Sequence, residues 1–71
     1  MLLKGDIVLI TDPTHEWAGF TGIIKKIITK NKRAIVKLST NKKIVWIKQN
    51  KLIKITKKQK EEFETLLKEK S

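Results

Sequence analysis

The sequence of 71 residues contains no cysteine, so disulfide bonds and cysteine-ligated zinc sites are excluded. No run of apolar residues is longer than four, the length of Ile7 to Ile10. A membrane-spanning helix needs about 20 apolar residues, and the apolar part of a signal peptide needs at least about 7. We therefore expect a soluble, cytoplasmic protein that has no transmembrane segment and no N-terminal targeting signal.

Residues that carry out catalysis are also scarce. His15 is the only histidine, and the carboxylates show no spacing typical of an acid–base pair. No phosphate-binding glycine-rich loop or nucleophile motif is present. Asp12, His15 and Glu16 lie close enough in sequence to suggest a metal site, but a lone loop histidine is more often solvated or capping. The sequence therefore predicts a non-enzymatic binding module without a metal or cofactor.

Acidic residues are absent from the middle of the chain. Residues 25–60 contain fourteen Lys and Arg and no Asp or Glu, which gives this segment a charge of +14. Residues 1–24 and 61–71 each carry −2, so the whole chain carries +10. An unbroken basic segment of this length favours a polyanionic partner, whether nucleic acid, an acidic protein or an anionic membrane. A lysine-rich surface that reflects an AT-rich genome is the alternative explanation.

Five short segments rich in Ile and Val predict β-strands. They recur about every 8–12 residues, which in so short a chain is typical of a small antiparallel barrel. The predicted strands cover residues 7–10, 23–29, 33–38, 43–47 and 52–55. In the third strand, Ala34, Val36 and Leu38 share one face. In the second, Lys25 and Lys26 interrupt the alternation, which indicates a β-bulge or a strong bend.

The last segment of the chain has a helical pattern. Thr56 and Gln59 match a capping box, so a helix is expected to begin at Lys57. Its apolar residues then recur at helical spacing, at Phe63, Leu66 and Leu67. We predict a barrel over residues 1–55 and, over residues 56–71, a C-terminal helix that packs on the barrel or on a partner. The predicted fold class is mainly β.

The aromatic residues bear on the kind of partner. Trp17 and Phe20 flank a glycine-containing turn, and Trp46 lies within a basic strand. A tryptophan exposed beside lysines can stack on bases while the lysines neutralise phosphates. We expect Trp17 to be exposed in its loop, whereas Phe20 is expected in the core. Trp46 is expected to face the core with Ile44 or to cover the end of the barrel beneath the C-terminal helix. Trp46 would instead point outward if Val45 and Ile47 face inward.

The barrel segment resembles the KOW motif of SH3-like barrels. The resemblance is carried by Lys4-Gly5-Asp6-x-Val8-x-Ile10, Gly19-x-x-Gly22-x-Ile24 and Ile27. Residues 4–55 are similar to the KOW domain of NusG-type transcription elongation factors and to the KOW ribosomal protein of the large subunit. This resemblance implies a five-stranded SH3-like barrel that contacts RNA, the ribosome or RNA polymerase through its first loop. The chain departs from the family at Asp12-Pro13, where the family has a glycine.

A second resemblance is to a group of thylakoid SH3-like proteins, which are found as a small component of the NDH complex and as a stromal component of photosystem I. It is carried by Asp12-Pro13 and by the turn Gly19-Phe20-Thr21-Gly22. This resemblance implies an accessory subunit that docks an acidic protein such as ferredoxin in a photosynthetic electron-transfer complex. The protein would then lie in the plastid stroma.

RNA or a ribonucleoprotein, such as a ribosome or transcription complex, is therefore the predicted partner, with an acidic protein as the alternative. The candidate binding residues combine aromatic and basic side chains of the first loop and of the basic segment. They are His15, Trp17, Lys25, Lys26, Lys30, Lys32, Arg33, Lys42, Lys43, Trp46 and Lys48.

Overall fold

A computed structural model describes residues 2–70, with side chains described for residues 2–66. It contains five strands and a C-terminal helix, as the sequence predicts. The elements are β1 (Ile7–Ile10), β2 (Thr21–Ile28), β3 (Arg33–Leu38), β4 (Ile44–Lys48), β5 (Leu52–Lys54) and α1 (Lys57–Lys70). The prediction of a mainly β chain with five antiparallel strands is confirmed, and each strand boundary lies within about two residues of its expected place.

The five strands form one sheet in the order β4-β3-β2-β1-β5, and each neighbouring pair is antiparallel. β4 and β5 are therefore at opposite edges, which would lie about 19 Å apart in a flat sheet. The residues between them, Gln49–Lys51, form one turn of 3-10 helix. Even fully extended, this connection spans at most about 14 Å. The sheet must therefore curl until its two edges approach each other.

The hydrophobic core lies inside the curled sheet. Ala34, Val36 and Leu38 of β3 are fully buried, which confirms the alternation predicted for this strand. The other strands contribute the remaining buried members of the cluster, Val8, Ile10, Ile24, Ile47 and Leu52. Burial of each large aliphatic side chain contributes about 1.5–3 kcal/mol, so this cluster is the main stabilising feature of the fold.

A β-bulge interrupts the pairing of β2 with β3. Two residues of β2, Lys25 and Lys26, oppose the single residue Ile35 of β3. The bulge predicted at these lysines is thereby confirmed. The extra residue reverses the face to which the following side chains point. Ile24 and Ile27 therefore both pack on the core although they are three residues apart.

Two glycines at the end of the β1–β2 loop have different roles. Gly19 has a φ of +83°, a conformation that other residues rarely adopt, and it turns the chain into β2. Gly22 lies where β2 and β3 approach closely. A Cβ atom at Gly22 would lie 2.6 Å from Cγ1 of Val36 and 2.7 Å from the carbonyl oxygen of Lys37.

A capping box begins α1 at Lys57, as predicted. The N–H of Gln59 donates to Oγ1 of Thr56 at 3.1 Å, and the N–H of Thr56 donates to Oε1 of Gln59 at 2.9 Å. These two bonds satisfy backbone donors that an uncapped helix would leave without a protein partner. An ion pair of 3.2 Å between Lys60 and Glu64 links the first and second turns.

The helix packs against β1 and β2. Leu9 and Thr21 pair on the face of these strands opposite to the core, and both are buried, so we infer that α1 covers them. In the predicted apolar stripe, Phe63 is half-buried and Leu66 is exposed, whereas the side chain of Leu67 lies outside the described residues.

Over residues 2–70, no helix is long and apolar enough to cross a bilayer.

The close approach at Gly22 predicts the effect of replacing it. Gly22→Ala is expected to lower the free energy of unfolding by about 1–3 kcal/mol, because the added methyl group overlaps backbone atoms that cannot move independently. Urea denaturation measures this change. Gly19→Asn is the matched control. The space around Gly19 is open and Asn tolerates its conformation, so a loss of about 1 kcal/mol or less is expected. Equal stability of Gly22→Ala and the parent chain would contradict the close approach.

The capping box gives a second expectation. Thr56→Ala removes the hydroxyl acceptor and is expected to cost about 0.5–2 kcal/mol of stability, whereas Thr56→Ser keeps the acceptor and should cost much less. Thermal unfolding followed by circular dichroism at 222 nm distinguishes the two variants. If both lose the same stability, the hydroxyl acceptor is not what stabilises the helix start.

Candidate nucleic-acid interface

The loop between β1 and β2, residues 11–20, is held by its own hydrogen bonds. Oδ1 of Asp12 accepts the backbone N–H of Thr14 at 3.0 Å and its hydroxyl at 2.7 Å. The N–H of His15 donates to the carbonyl oxygen of Asp12 at 3.1 Å. Nδ1 of His15 accepts the N–H of Trp17 at 3.0 Å. His15 and Asp12 thus serve first to fold the loop, which agrees with the capping role that is common for loop histidines.

The same bonds change the titration of Asp12. They favour its ionised form, so the pKa of this carboxyl lies below its ordinary value of 3.8. The hydroxyl and the backbone N–H of Thr14 are the main causes, and the nearby positive charge of Lys51 lowers the pKa further. Partial desolvation acts in the opposite direction and is outweighed. Asp12 is therefore a fixed negative charge at one side of a basic region.

Trp17 is half-buried and packs against the core, so the expectation that it is exposed is wrong. Its ring makes an edge-to-face contact with Phe20, with a centroid distance of 5.2 Å and an interplanar angle of 76°. Nζ of Lys43 lies 5.0 Å from the centroid of the Trp17 ring, within the range of a cation–π interaction. Because Lys43 comes from a distant part of the chain and the ring also packs on the core, the loop folds back onto the sheet. Phe20 packs on the core, as expected.

Trp46 is the exposed tryptophan, with 57% of its surface accessible. The expectation that it belongs to the core is wrong, because the register of β4 places Ile47 opposite the buried Ala34 of β3. Trp46 is one residue away, opposite Ile35, and therefore lies on the other face of the sheet.

The outer face of β2, β3 and β4 mixes apolar and basic residues. Pairing across the three strands places them in three rows, which are Ile28–Arg33–Lys48, Lys26–Ile35–Trp46 and Ile23–Lys37–Ile44. Ile23, Ile44 and Trp46 are exposed large hydrophobic residues of this face. Trp46 therefore has a basic pair beside it, since Arg33 and Lys48 are paired in the neighbouring row.

A groove of about 280 Å³ adjoins Trp46, and we call it the tryptophan groove. It is lined by Asp12, His15, Arg33, Trp46, Ile47, Lys48 and Lys51. Three of these residues are Lys or Arg, and one carries a carboxylate. The position of Lys51 depends on its carbonyl oxygen, which accepts the N–H of Thr11 at 2.9 Å and its hydroxyl at 3.0 Å. These bonds attach the end of the 3-10 turn to the β1–β2 loop.

The other predicted site residues are distributed over several surfaces. Lys32 and Lys48 line a second groove beside the first. Lys25 and Lys42 line a third groove, with Lys37 and Lys60. Lys43 contacts the Trp17 ring, Lys26 lies on the outer face, and Lys30 is exposed in the β2–β3 turn. The structure therefore brings His15, Arg33, Trp46 and Lys48 together in one groove, whereas Lys25 and Lys42 line another. Trp17 is hydrogen-bonded to His15 through its backbone N–H, but its ring contacts Phe20 and Lys43.

Sequence reasoning missed Lys51 and Gln49 as candidates. Both lie in a segment for which the sequence predicts only a tight turn. Their positions in the grooves are set by hydrogen bonds to parts of the chain that are distant in sequence. No local sequence pattern gives a signal for them, because their place in the grooves depends on these contacts between loops. In the described part of the chain, no three His, Cys, Asp or Glu residues are grouped so that they could hold a metal ion.

Comparison of the chain with models of known protein families and with curated proteins gives no match.

The hydrogen bonds of Asp12 predict its titration. The pKa of Asp12, followed by ¹³C NMR of its carboxyl carbon, should lie below 3.8 and should rise in Thr14→Val, which removes the hydroxyl donor. Since the folded-state pKa is lowered, the ionised carboxylate stabilises the fold above the ordinary pKa. This contribution is lost as the pH falls through the lowered pKa. An unchanged pKa in Thr14→Val would contradict the role of that hydroxyl.

Proposed function

We propose that this protein is a non-enzymatic RNA-binding module of a ribonucleoprotein or transcription complex, and that the tryptophan groove is its main contact with single-stranded RNA. The observation that carries the proposal is the exposed indole of Trp46 next to the paired cations Arg33 and Lys48. A polyanion that also offers flat aromatic groups matches both features at once.

Base stacking accounts for the indole. Tryptophan side chains usually bury a large apolar area. The indole of Trp46 is 57% accessible in the folded chain, so most of its surface is available for contact with a ligand. Stacking of one base on such a ring contributes about 1–3 kcal/mol. It is tolerant of sequence, because every base has an aromatic face.

Phosphate contacts account for the cations. Arg33, Lys48 and Lys51 line the same groove as the indole. Among the described residues, Asp12 is the one carboxylate that lines it, and Thr14 already donates two hydrogen bonds to this carboxylate. The rest of the basic segment adds long-range attraction, which increases the rate of encounter with a polyanion. Affinity is then expected to fall steeply with salt concentration.

We also infer that the fold is of the KOW type and SH3-like. The residues that carry the resemblance have structural roles consistent with a shared scaffold. Gly5 has a φ of +94°. Oδ2 of Asp6 accepts the N–H of Leu3 at 2.8 Å, and its carboxylate lies 3.7 Å from Nζ of Lys54 in β5. Gly22 permits the close approach of β2 and β3. These roles support a scaffold and do not by themselves identify the ligand.

Binding of labelled single-stranded RNA, followed by fluorescence anisotropy at several salt concentrations, tests the proposal. Trp46→Ala is expected to weaken binding by about 5- to 150-fold, the equivalent of one stacked base, with little change in salt dependence. Arg33→Gln/Lys48→Gln should reduce the slope of log K against log salt by about 1.4, since each lost phosphate contact accounts for about 0.7.

A charge-matched control separates the groove from general basicity. Lys25→Gln/Lys42→Asn removes the same two charges from the third groove, and Asn is chosen because Lys42 has a φ of +58°. This variant should retain the slope and most of the affinity. Equal losses in the two double variants would contradict a localised interface. Tighter binding of a polyglutamate peptide than of RNA would favour the acidic-protein alternative.

A further inference from the structure

A second groove, of about 520 Å³, lies beside the tryptophan groove and shares Lys48 with it. Its lining differs in chemistry, because three of its five residues carry side-chain amides. It is lined by Asn31, Lys32, Lys48, Gln49 and Asn50, and we call it the amide groove. Its volume lies within the range of about 300–1,000 Å³ that is usual for small-ligand sites.

The walls of the amide groove are fixed by hydrogen bonds. The N–H of Gln49 donates to the carbonyl oxygen of Lys32 at 2.9 Å, and its side-chain Nε2 donates to the carbonyl oxygen of Arg33 at 3.2 Å. Gln49 therefore joins the 3-10 turn to the β2–β3 turn, and its Oε1 is left as the acceptor of that amide. Asn31 and Asn50 are exposed, one on each of these two turns.

An amide presents a donor and an acceptor side by side. Asn and Gln pair in this way with adenine, whose N6 donates and whose N7 accepts. The unpaired bases of single-stranded RNA expose these edges to side chains. A lysine has no acceptor and cannot make such a paired contact, so the amides give this groove a means of base discrimination that the tryptophan groove lacks.

We propose that the amide groove is a base-reading subsite that takes adenine from the nucleotide next to the one stacked on Trp46. Lys48, which lines both grooves, contacts the phosphate that links the two nucleotides. This inference rests on the proposed function, and it assigns a preference for adenine to an interface that would otherwise bind RNA without regard to sequence.

The affinities of four RNA octamers test this subsite. In all four, the six outer positions are uridine, and the two central positions are UU, AA, GG or CC. The protein is expected to bind the AA octamer at least about 5-fold more tightly than the GG octamer. Guanine is the decisive comparison, because it is also a purine but its Hoogsteen edge offers two acceptors and no donor.

The variant Asn31→Ala/Asn50→Ala should bind the AA and GG octamers within about 2-fold of each other and bind the UU octamer as the parent chain does. Asn41→Ala removes an asparagine from a turn outside the groove and should keep the preference. If the parent chain binds the octamers without preferring AA, or if the double variant keeps the preference, the amide groove is not a base-reading site and the proposed function stands. If the parent chain binds none of the octamers, the proposed function fails as well.

Discussion

The β-bulge at Lys25 and Lys26 is the constraint on which the arrangement of the curled sheet depends. In a regular strand, every second residue points to the same face, so Lys26 would point into the core like Gly22 and Ile24. Burial of an unpaired ammonium group costs far more than a domain of this size can tolerate. With the bulge, Ile27 points inward and Lys26 joins the outer face in line with Ile35 and Trp46.

The same local irregularity therefore serves both the core and the surface. It keeps Ile24 and Ile27 of β2 on the core side, and it leaves an outer face of β2, β3 and β4 on which every row mixes apolar and basic residues. None of the Lys and Arg residues of the basic segment is buried; they lie on strand faces, in turns and connections, and in the first turn of α1. Curling of the sheet then brings the 3-10 turn beside the β1–β2 loop, which assembles both grooves at one end of β3 and β4.

The parts of this structure that depend on local pattern follow from the sequence. Alternation in β3, the capping box at Thr56 and the phase change at Lys25 involve only neighbours along the chain. The exposure of the two tryptophans cannot be predicted from local sequence, because it depends on contacts made across the sheet. Trp17 is covered through Phe20 and Lys43, and Trp46 is exposed because β4 pairs with β3 in the register that buries Ile47. Lys51 and Gln49 join the grooves through hydrogen bonds between loops that no local pattern encodes.

β4 is an edge strand whose central residues, from Ile44 to Ile47, are all apolar. β4 pairs with β3 on one side only, and the free edge of a strand of this composition is a template for pairing with a second copy of the chain. Lys42 and Lys43 precede it and Lys48 ends it, so two copies that approached edge to edge would bring these charges together. The lysines at the ends of β4 therefore act against self-association, and a polyanion that neutralised them would remove this protection while covering the edge itself.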